Sequence, residues 1–282
     1  MSQKTLAVWR SRLLLAMMLH LLVCFCCRTA QAETLFVPHP DDAAKQVEYF
    51  LEKPVGRGPW PTLLLLHGHQ EGLRPGGKVF VEWGGLEQFA KRGVLAVAVS
   101  QPGYGNSTGP ADFCGVFTQH AVAGVIAKLR ADAYVSPHTL VIQGVSRGAL
   151  VAGLVAAQDA SIAGIVLISG VYDVPQFVAD ANASPRKQAV VHALLAETGG
   201  GSEALRARSV LYVAKEIKAA ALILNGAQDE LTDPSQARRL VEDITRYGGS
   251  ARAIIYPDYG HQIPVEVRNR EIDPFLEGVW GK

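Results

Sequence analysis

The chain has 282 residues, 49% of them hydrophobic and 19% charged, with 28 glycines and 15 prolines. That apolar content excludes a disordered protein, and a formal charge of +1 offers no basic excess for binding a nucleic acid.

Residues 1–32 read as an export signal. Lys4, Arg10 and Arg12 form a positive leading segment, residues 13–27 are apolar apart from His20, and Ala30-Gln31-Ala32 is a small-x-small cleavage site. Fifteen apolar residues are short for a membrane span, which needs about 20, although an uncleaved anchor is the alternative. The reading predicts a mature chain of residues 33–282, exported to a periplasmic or extracellular space, with no stable membrane association after cleavage. Removing the four basic residues of the signal (those three and Arg28) from the 27 in the chain leaves 23 against 26 acidic ones, a net charge of −3. Three of the four cysteines also fall in the signal, so the mature chain keeps only Cys114 and has no internal disulfide. A lone thiol is read as a small buried apolar residue.

Along the mature chain, apolar runs of strand length alternate with helix-length segments. Strands are predicted at 47–51, 62–66, 94–99, 139–142, 164–168, 220–224 and 252–256. Helices are predicted at 83–91, 113–130, 149–158 and 235–247, with a final one over 264–270 or 274–279. Nearly continuous apolar strands between helices describe a mostly parallel sheet covered on both faces, an α/β fold. Residues 171–215 break the rhythm and read as a small helical, lid-like insertion after the sixth strand, at the carboxyl edge of the sheet. No repeat or low-complexity linker divides residues 33–282, which read as one domain.

Gly144-Val145-Ser146-Arg147-Gly148 has the form G-x-S-x-G, and so does Gly105-Asn106-Ser107-Thr108-Gly109. The pattern carries chemistry only where a strand runs into a sharp turn and then a helix. Residues 139–143 supply such a strand and residues 149–154 such a helix, so Ser146 is the candidate nucleophile. Ser107 lies in a Pro/Gly-rich loop, well past its strand, and reads as turn chemistry.

A serine needs a general base, and the base needs a carboxylate to orient it. Asp229 and His261 each follow an apolar strand by a few residues, at the edge where Ser146 sits and where open α/β sheets bind ligands. Asp233, the competing carboxylate, precedes Pro234 and a helix and reads as an N-cap. Glu230 should point elsewhere and Asp258 reads as a turn residue. His39, His120, His138 and His192 take structural or surface roles. The backbone N–H of Arg147 is the expected first oxyanion donor and that of His69 the second, with Gln70 next, from the loop that follows residues 62–66. No His, Asp or Glu cluster has metal spacing, and neither metal nor cofactor is called for.

Together His67-Gly68-His69, Gly144-Val145-Ser146-Arg147-Gly148, Asp229 and His261 make the chain resemble the α/β-hydrolase superfamily over nearly all of its mature length. The second half resembles the catalytic domains of prolyl oligopeptidase-type enzymes and of dienelactone-hydrolase-like esterases, through residues 207–213, Ile217-Lys218-Ala219 and Asn225-Gly226-Ala227-Gln228-Asp229. Three features depart from these groups. Arg147-Gly148-Ala149 stands where prolyl oligopeptidase-type enzymes usually have an aromatic residue and two glycines. Ser146 stands where dienelactone hydrolases have cysteine. Prolyl oligopeptidases also carry a large propeller domain, for which 250 residues leave no room. The resemblance implies a serine hydrolase cleaving a small or medium acyl ester through an acyl-enzyme. The alternatives are a peptidase on short peptides or acylated amino acids, and a non-catalytic binding protein on the same scaffold. Arg147 is read either as an anion-binding side chain or as one packed on its helix and facing solvent.

Overall fold

The computed structural model describes residues 32–180 and 184–281. The predicted export segment therefore lies outside the described residues, save for Ala32. Eight strands form one sheet: β1 (Glu33–His39), β2 (Asp42–Glu52), β3 (Trp60–Leu66), β4 (Leu95–Val99), β5 (Val135–Val145), β6 (Gly164–Ile168), β7 (Ala220–Gly226) and β8 (Ala251–Tyr256), in the order β1-β2-β4-β3-β5-β6-β7-β8. β1 and β2 form an antiparallel hairpin, β2 pairs antiparallel with β4, and every pairing from β4 to β8 is parallel.

Alternation along the strands builds two cores. In β3, Leu64 and Leu66 pack on one face while Leu63 and Leu65 pack on the other. In β7, Ala221 and Ile223 face one way and Leu222 and Leu224 the other. Successive side chains of a strand point to opposite faces, so a strand covered on both sides is apolar throughout. Each buried leucine contributes about 2 kcal/mol, which holds the sheet edge rigid beneath the loops that leave it.

The helices differ from expectation in instructive places. The helix expected at 83–91 is two short ones, α1 (Lys78–Glu82) and α2 (Gly85–Lys91), split at Trp83 and Gly84, where Gly84 is left-handed. The helix expected from residue 113 begins later, as α3 (Val116–Ala131), because Phe113 and Cys114 both take positive φ. α4 (Arg147–Gln158) follows β5 directly. The two options for the last helix are one helix: it runs unbroken through Pro274. That proline is exposed, so the carbonyl it frees can turn to water, while Ile272 and Leu276 bury the opposite side. β1 was not expected at all, and it extends the sheet by a hairpin at the far edge from β8.

The interruption at 171–215 is helical as expected. It holds α5 (Val174–Ala179), α6 (Pro185–Thr198), α7 (Ser202–Arg206) and a 3-10 turn (Val210–Glu216). α8 (Pro234–Arg246) and α9 (Val265–Trp280) complete the chain. Asp233 caps α8 by accepting from the Ser235 N–H, with Pro234 next to it, as its spacing predicts. Among the described residues no helix is long and apolar enough to cross a membrane.

Candidate active site

The parallel strands end along one edge, and three loops leaving that edge converge. β5 delivers Ser146, which takes φ 53° and ψ −117°, a strained conformation for a residue with a side chain. Both glycines of the motif are required by close approach. A Cβ on Gly144 would collide with the backbone of Gly148, and one on Gly148 with the carbonyls of Leu66 and His67. The turn can therefore be sharp and still lie against the end of β3.

The Ser146 hydroxyl lies 3.1 Å from His261 Nε2. His261 Nδ1 lies 3.0 Å from one oxygen of Asp229 and 3.2 Å from the other. With Nδ1–H donating to the carboxylate, Nε2 is left to accept from the serine. The Asp229 side chain is fully buried and also accepts from the Leu231 and Thr232 N–H groups and the Thr232 hydroxyl. Burial works against its charge, but the hydrogen bonds from His261 and Thr232 and the nearby imidazole outweigh it, so its pKa lies below the usual carboxylate range. Glu230 is exposed. The three residues singled out in the sequence are thus brought into one hydrogen-bonded chain.

Gly68 lets the loop after β3 approach this chain: a Cβ there would stand 3.2 Å from the Val145 carbonyl and 3.4 Å from Ser146 Cβ. His67 is buried behind it. Its Nδ1 donates to the Gly68 carbonyl at 2.8 Å, and its Nε2 accepts from the Gln101 N–H at 3.1 Å. Only the neutral ring with the proton on Nδ1 satisfies both contacts. Burial drives its pKa down to about 3, with the Arg147 charge adding to the shift. Because a trans peptide sets C=O and N–H antiparallel, holding the Gly68 carbonyl against His67 aims the His69 N–H the opposite way. That N–H has no hydrogen-bond partner among the described residues. Arg147 opens α4, so its N–H lacks an intrahelical acceptor.

The Arg147 side chain neither faces solvent nor lies along its helix. It is buried, donating from Nη1 to Glu197 and to the Tyr104 hydroxyl, both at 3.2 Å, and from Nε to Gln101 at 3.2 Å. Its guanidinium also stacks over the rings of Tyr104 and Phe113. Glu197 comes from α6, inside the insertion, and its carboxylate also accepts from the Phe113 N–H at 2.8 Å. These partners carry no sequence signal, since they lie 43 to 50 residues from Arg147. Cys114 is buried, its thiol pushed up to about 12 by burial, and is an inert packing residue. His39 is buried and stacked on Phe117, and His120 pairs with Asp41 on the surface. Asp258 and His138 lie outside the site. No group of three His, Cys, Asp or Glu among the described residues could hold a metal ion.

Ser146 and His261 open into a cavity of about 1020 Å³. Its wall is mainly apolar, with Phe80 and Trp83 from α1 and its end, Phe113, Leu150, and Phe177 and Leu194 from the insertion.

Among solved structures, the fold is similar to puromycin hydrolase, at a TM-score of 0.77 and 19% identity over 89% of this chain and 40% of that one. It is similar to the acylaminoacyl peptidase of Pyrococcus horikoshii, at 0.73 and 17% over 93% of this chain and 43% of that one. It is similar to acetyl xylan esterase 1 of a Thermoanaerobacterium species, at 0.71 and 17%, covering 89% of this chain and 84% of that one. The chain thus spans about two fifths of the first two neighbours and most of the esterase. No curated protein sequence matches it. Its own sequence matches the pattern of the prolyl oligopeptidase family over residues 116–277, a stretch that holds Ser146, Asp229 and His261, and the chain belongs to that family of α/β-hydrolase serine hydrolases.

Proposed function

We propose that the protein is a serine esterase acting on small or medium acyl esters, with Ser146 as nucleophile, His261 as general base and acid, and Asp229 as the orienting carboxylate. The observation that carries this reading is the continuous hydrogen-bond chain from Ser146 through His261 to Asp229 at the mouth of a largely apolar cavity. The Ser146 oxygen attacks the acyl carbon while His261 Nε2 takes its proton. The oxyanion develops against the N–H groups of Arg147 and His69, two donors with no other partner to lose. Collapse of the tetrahedral intermediate breaks the ester C–O bond, and His261 gives the proton to the departing alcohol. Water, deprotonated by the same nitrogen, then releases the acid and restores Ser146. No metal or cofactor enters any of these steps.

Residues 171–215 act in this reading as a lid-like insertion, supported by Phe177 and Leu194, which line the cavity. The charged and apolar pattern of residues 1–32 supports export to the periplasm or beyond, with residues 33–282 as the working domain. The 84% coverage of the acetyl xylan esterase supports an ester substrate. The family and the likeness to an acylaminoacyl peptidase favour the second reading, a peptidase on short peptides or acylated amino acids. Turnover of an acyl 4-nitrophenyl ester beside the matched acyl 4-nitroanilide separates the two. An ester-only enzyme is expected, and a comparable rate on the anilide would establish the peptidase.

A further inference from the structure

The cavity wall has a half-buried charged group that the mechanism leaves idle. Arg268 lies on α9 and lines the same cavity as Ser146. Its Nε is buried with no hydrogen-bond partner, and the guanidinium makes no ion pair among the described residues. Burial holds its pKa below the ordinary guanidinium value, and Glu266 and Tyr256 only partly oppose that. Arg268 as a whole is half-buried, and a partly desolvated cation with no ion pair gains from an anion that completes it. A water molecule could meet the N–H but could not balance the charge.

The other charges of the wall do not do so. Arg147 is already matched by Glu197. Arg186 adds a further cation at the exposed rim, and Glu71 is the single carboxylate among the lining residues. Arg268 belongs to the chain segment that follows His261, of which Ile263 and Val265 also line the cavity. His261 must hand its proton to the leaving oxygen, so this side of the cavity receives the leaving half of the substrate.

Resting on the esterase reading above, we infer that the substrate carries a carboxylate in its alcohol half, and that Arg268 binds it as the specificity-determining residue. The planar fork of arginine matches a carboxylate in geometry as well as charge.

The test uses two matched ester pairs. The first is the butyrate ester of 4-hydroxyphenylacetic acid beside that of its primary amide, which differ only in the charge of the alcohol half. The second is 4-nitrophenyl hemiglutarate beside its terminal amide, which differ in the acyl half. For the first pair, kcat/KM is expected to favour the carboxylate by about tenfold or more, carried by KM. Arg268→Gln should bring that ratio close to one, and Arg268→Lys should restore part of it. Each ratio is taken within one variant, so a partly folded preparation leaves it unchanged. A ratio near one in the unaltered protein overturns the inference, as does a ratio that survives in Arg268→Gln or a preference confined to the acyl pair. Fluorophosphonate labelling of Ser146 separates the two levels. If Ser146 is labelled and both alcohol-half esters are cut equally, only this inference falls. If Ser146 is unlabelled and no ester is cut, the esterase reading falls and takes this inference with it.

Discussion

The same five-residue pattern occurs twice in this chain, and its two copies have opposite fates. At Ser146 a strand whose last residues are paired on both sides runs straight into a helix, the serine is held at positive φ, and its hydroxyl faces His261 at the cavity. At Ser107 the pattern sits in the loop after β4, buried, and its hydroxyl is consumed by the backbone. It donates to the Ser100 carbonyl at 2.6 Å and accepts from the Glu48 N–H at 2.8 Å. The hydroxyl of its neighbour Thr108 likewise accepts from the Gln46 N–H. The loop is thereby stitched to the side of β2 that faces β4, just beyond the paired residues. Glycine and serine at this spacing permit a tight turn, and what the turn does depends on the elements that flank it.

The largest expected effect tests that contrast directly. Ser146→Ala, His261→Ala and Asp229→Asn should each lower ester turnover by about three orders of magnitude or more, because such residues act as a unit. Ser107→Ala should leave kcat within about twofold of the unaltered protein. A dead Ser107→Ala with a normal melting temperature would reverse the assignment of the two copies.

The next effect concerns what holds the turn at Ser146 in place. Glu197 reaches from the insertion to Arg147 and to the Phe113 N–H. Removing one member of a buried ion pair leaves the other unpaired, at a cost of about 3 kcal/mol or more. Glu197→Ala should therefore lower the unfolding free energy by that amount and lower kcat as well, since Arg147 carries one proposed oxyanion donor. Denaturant titration beside ester turnover measures both. Full stability in the variant would mean that the insertion does not clamp the turn at Ser146.

How much of this was legible in the sequence follows from the range of the contacts. Ser146, Asp229 and His261 could be read because each lies a few residues past a strand with an unmistakable apolar run, and the parallel fold brings those strand ends to one edge. Asp233 could be told from Asp229 because Pro234 marks a helix start. Glu197 and Tyr104 could not be found, since their contacts with Arg147 span 50 and 43 residues of chain and no local pattern encodes them. Arg268 stayed hidden for a related reason: its proposed role comes from the partner it lacks. β1 was missed because its burial alternates and only Val37 and His39 are fully buried, too little for a core signal. The last helix was split because a proline normally ends one, whereas exposure spares Pro274 that penalty.

Acid sharpens the comparison, because Gln101 sits between the two copies. Its N–H donates to His67 Nε2 and its side chain donates to the His67 carbonyl, while the chain just beyond it forms the Ser107 loop. The folded pKa of His67 is near 3 against an ordinary value of 6.5, so the folded protein binds fewer protons there than the unfolded chain. The stability this provides is complete above pH 6.5 and drains away as pH falls from 6.5 towards 3. Unfolding free energy should drop more steeply between pH 6.5 and 4 in the unaltered protein than in His67→Asn. The depressed carboxylate of Asp229 adds loss at low pH in both proteins and cancels in the difference. Equal slopes would mean that His67 is not held neutral.

The smallest expected effect belongs to Ser107 itself. Removing its hydroxyl strands the Ser100 carbonyl and the Glu48 N–H, two groups with little access to water, at a cost of about 1–2 kcal/mol. The loss should appear in the melting temperature and nowhere in the reaction. Ser107→Cys is the sharper variant. A thiol is a weak donor and acceptor and too large for bonds of 2.6 and 2.8 Å, so it should restore little stability. A thiol in place of Ser146, by contrast, would remain a nucleophile. If Ser107→Ala melted at the temperature of the unaltered protein, the Ser107 loop would not be holding β2, and the role assigned to this second copy would be lost.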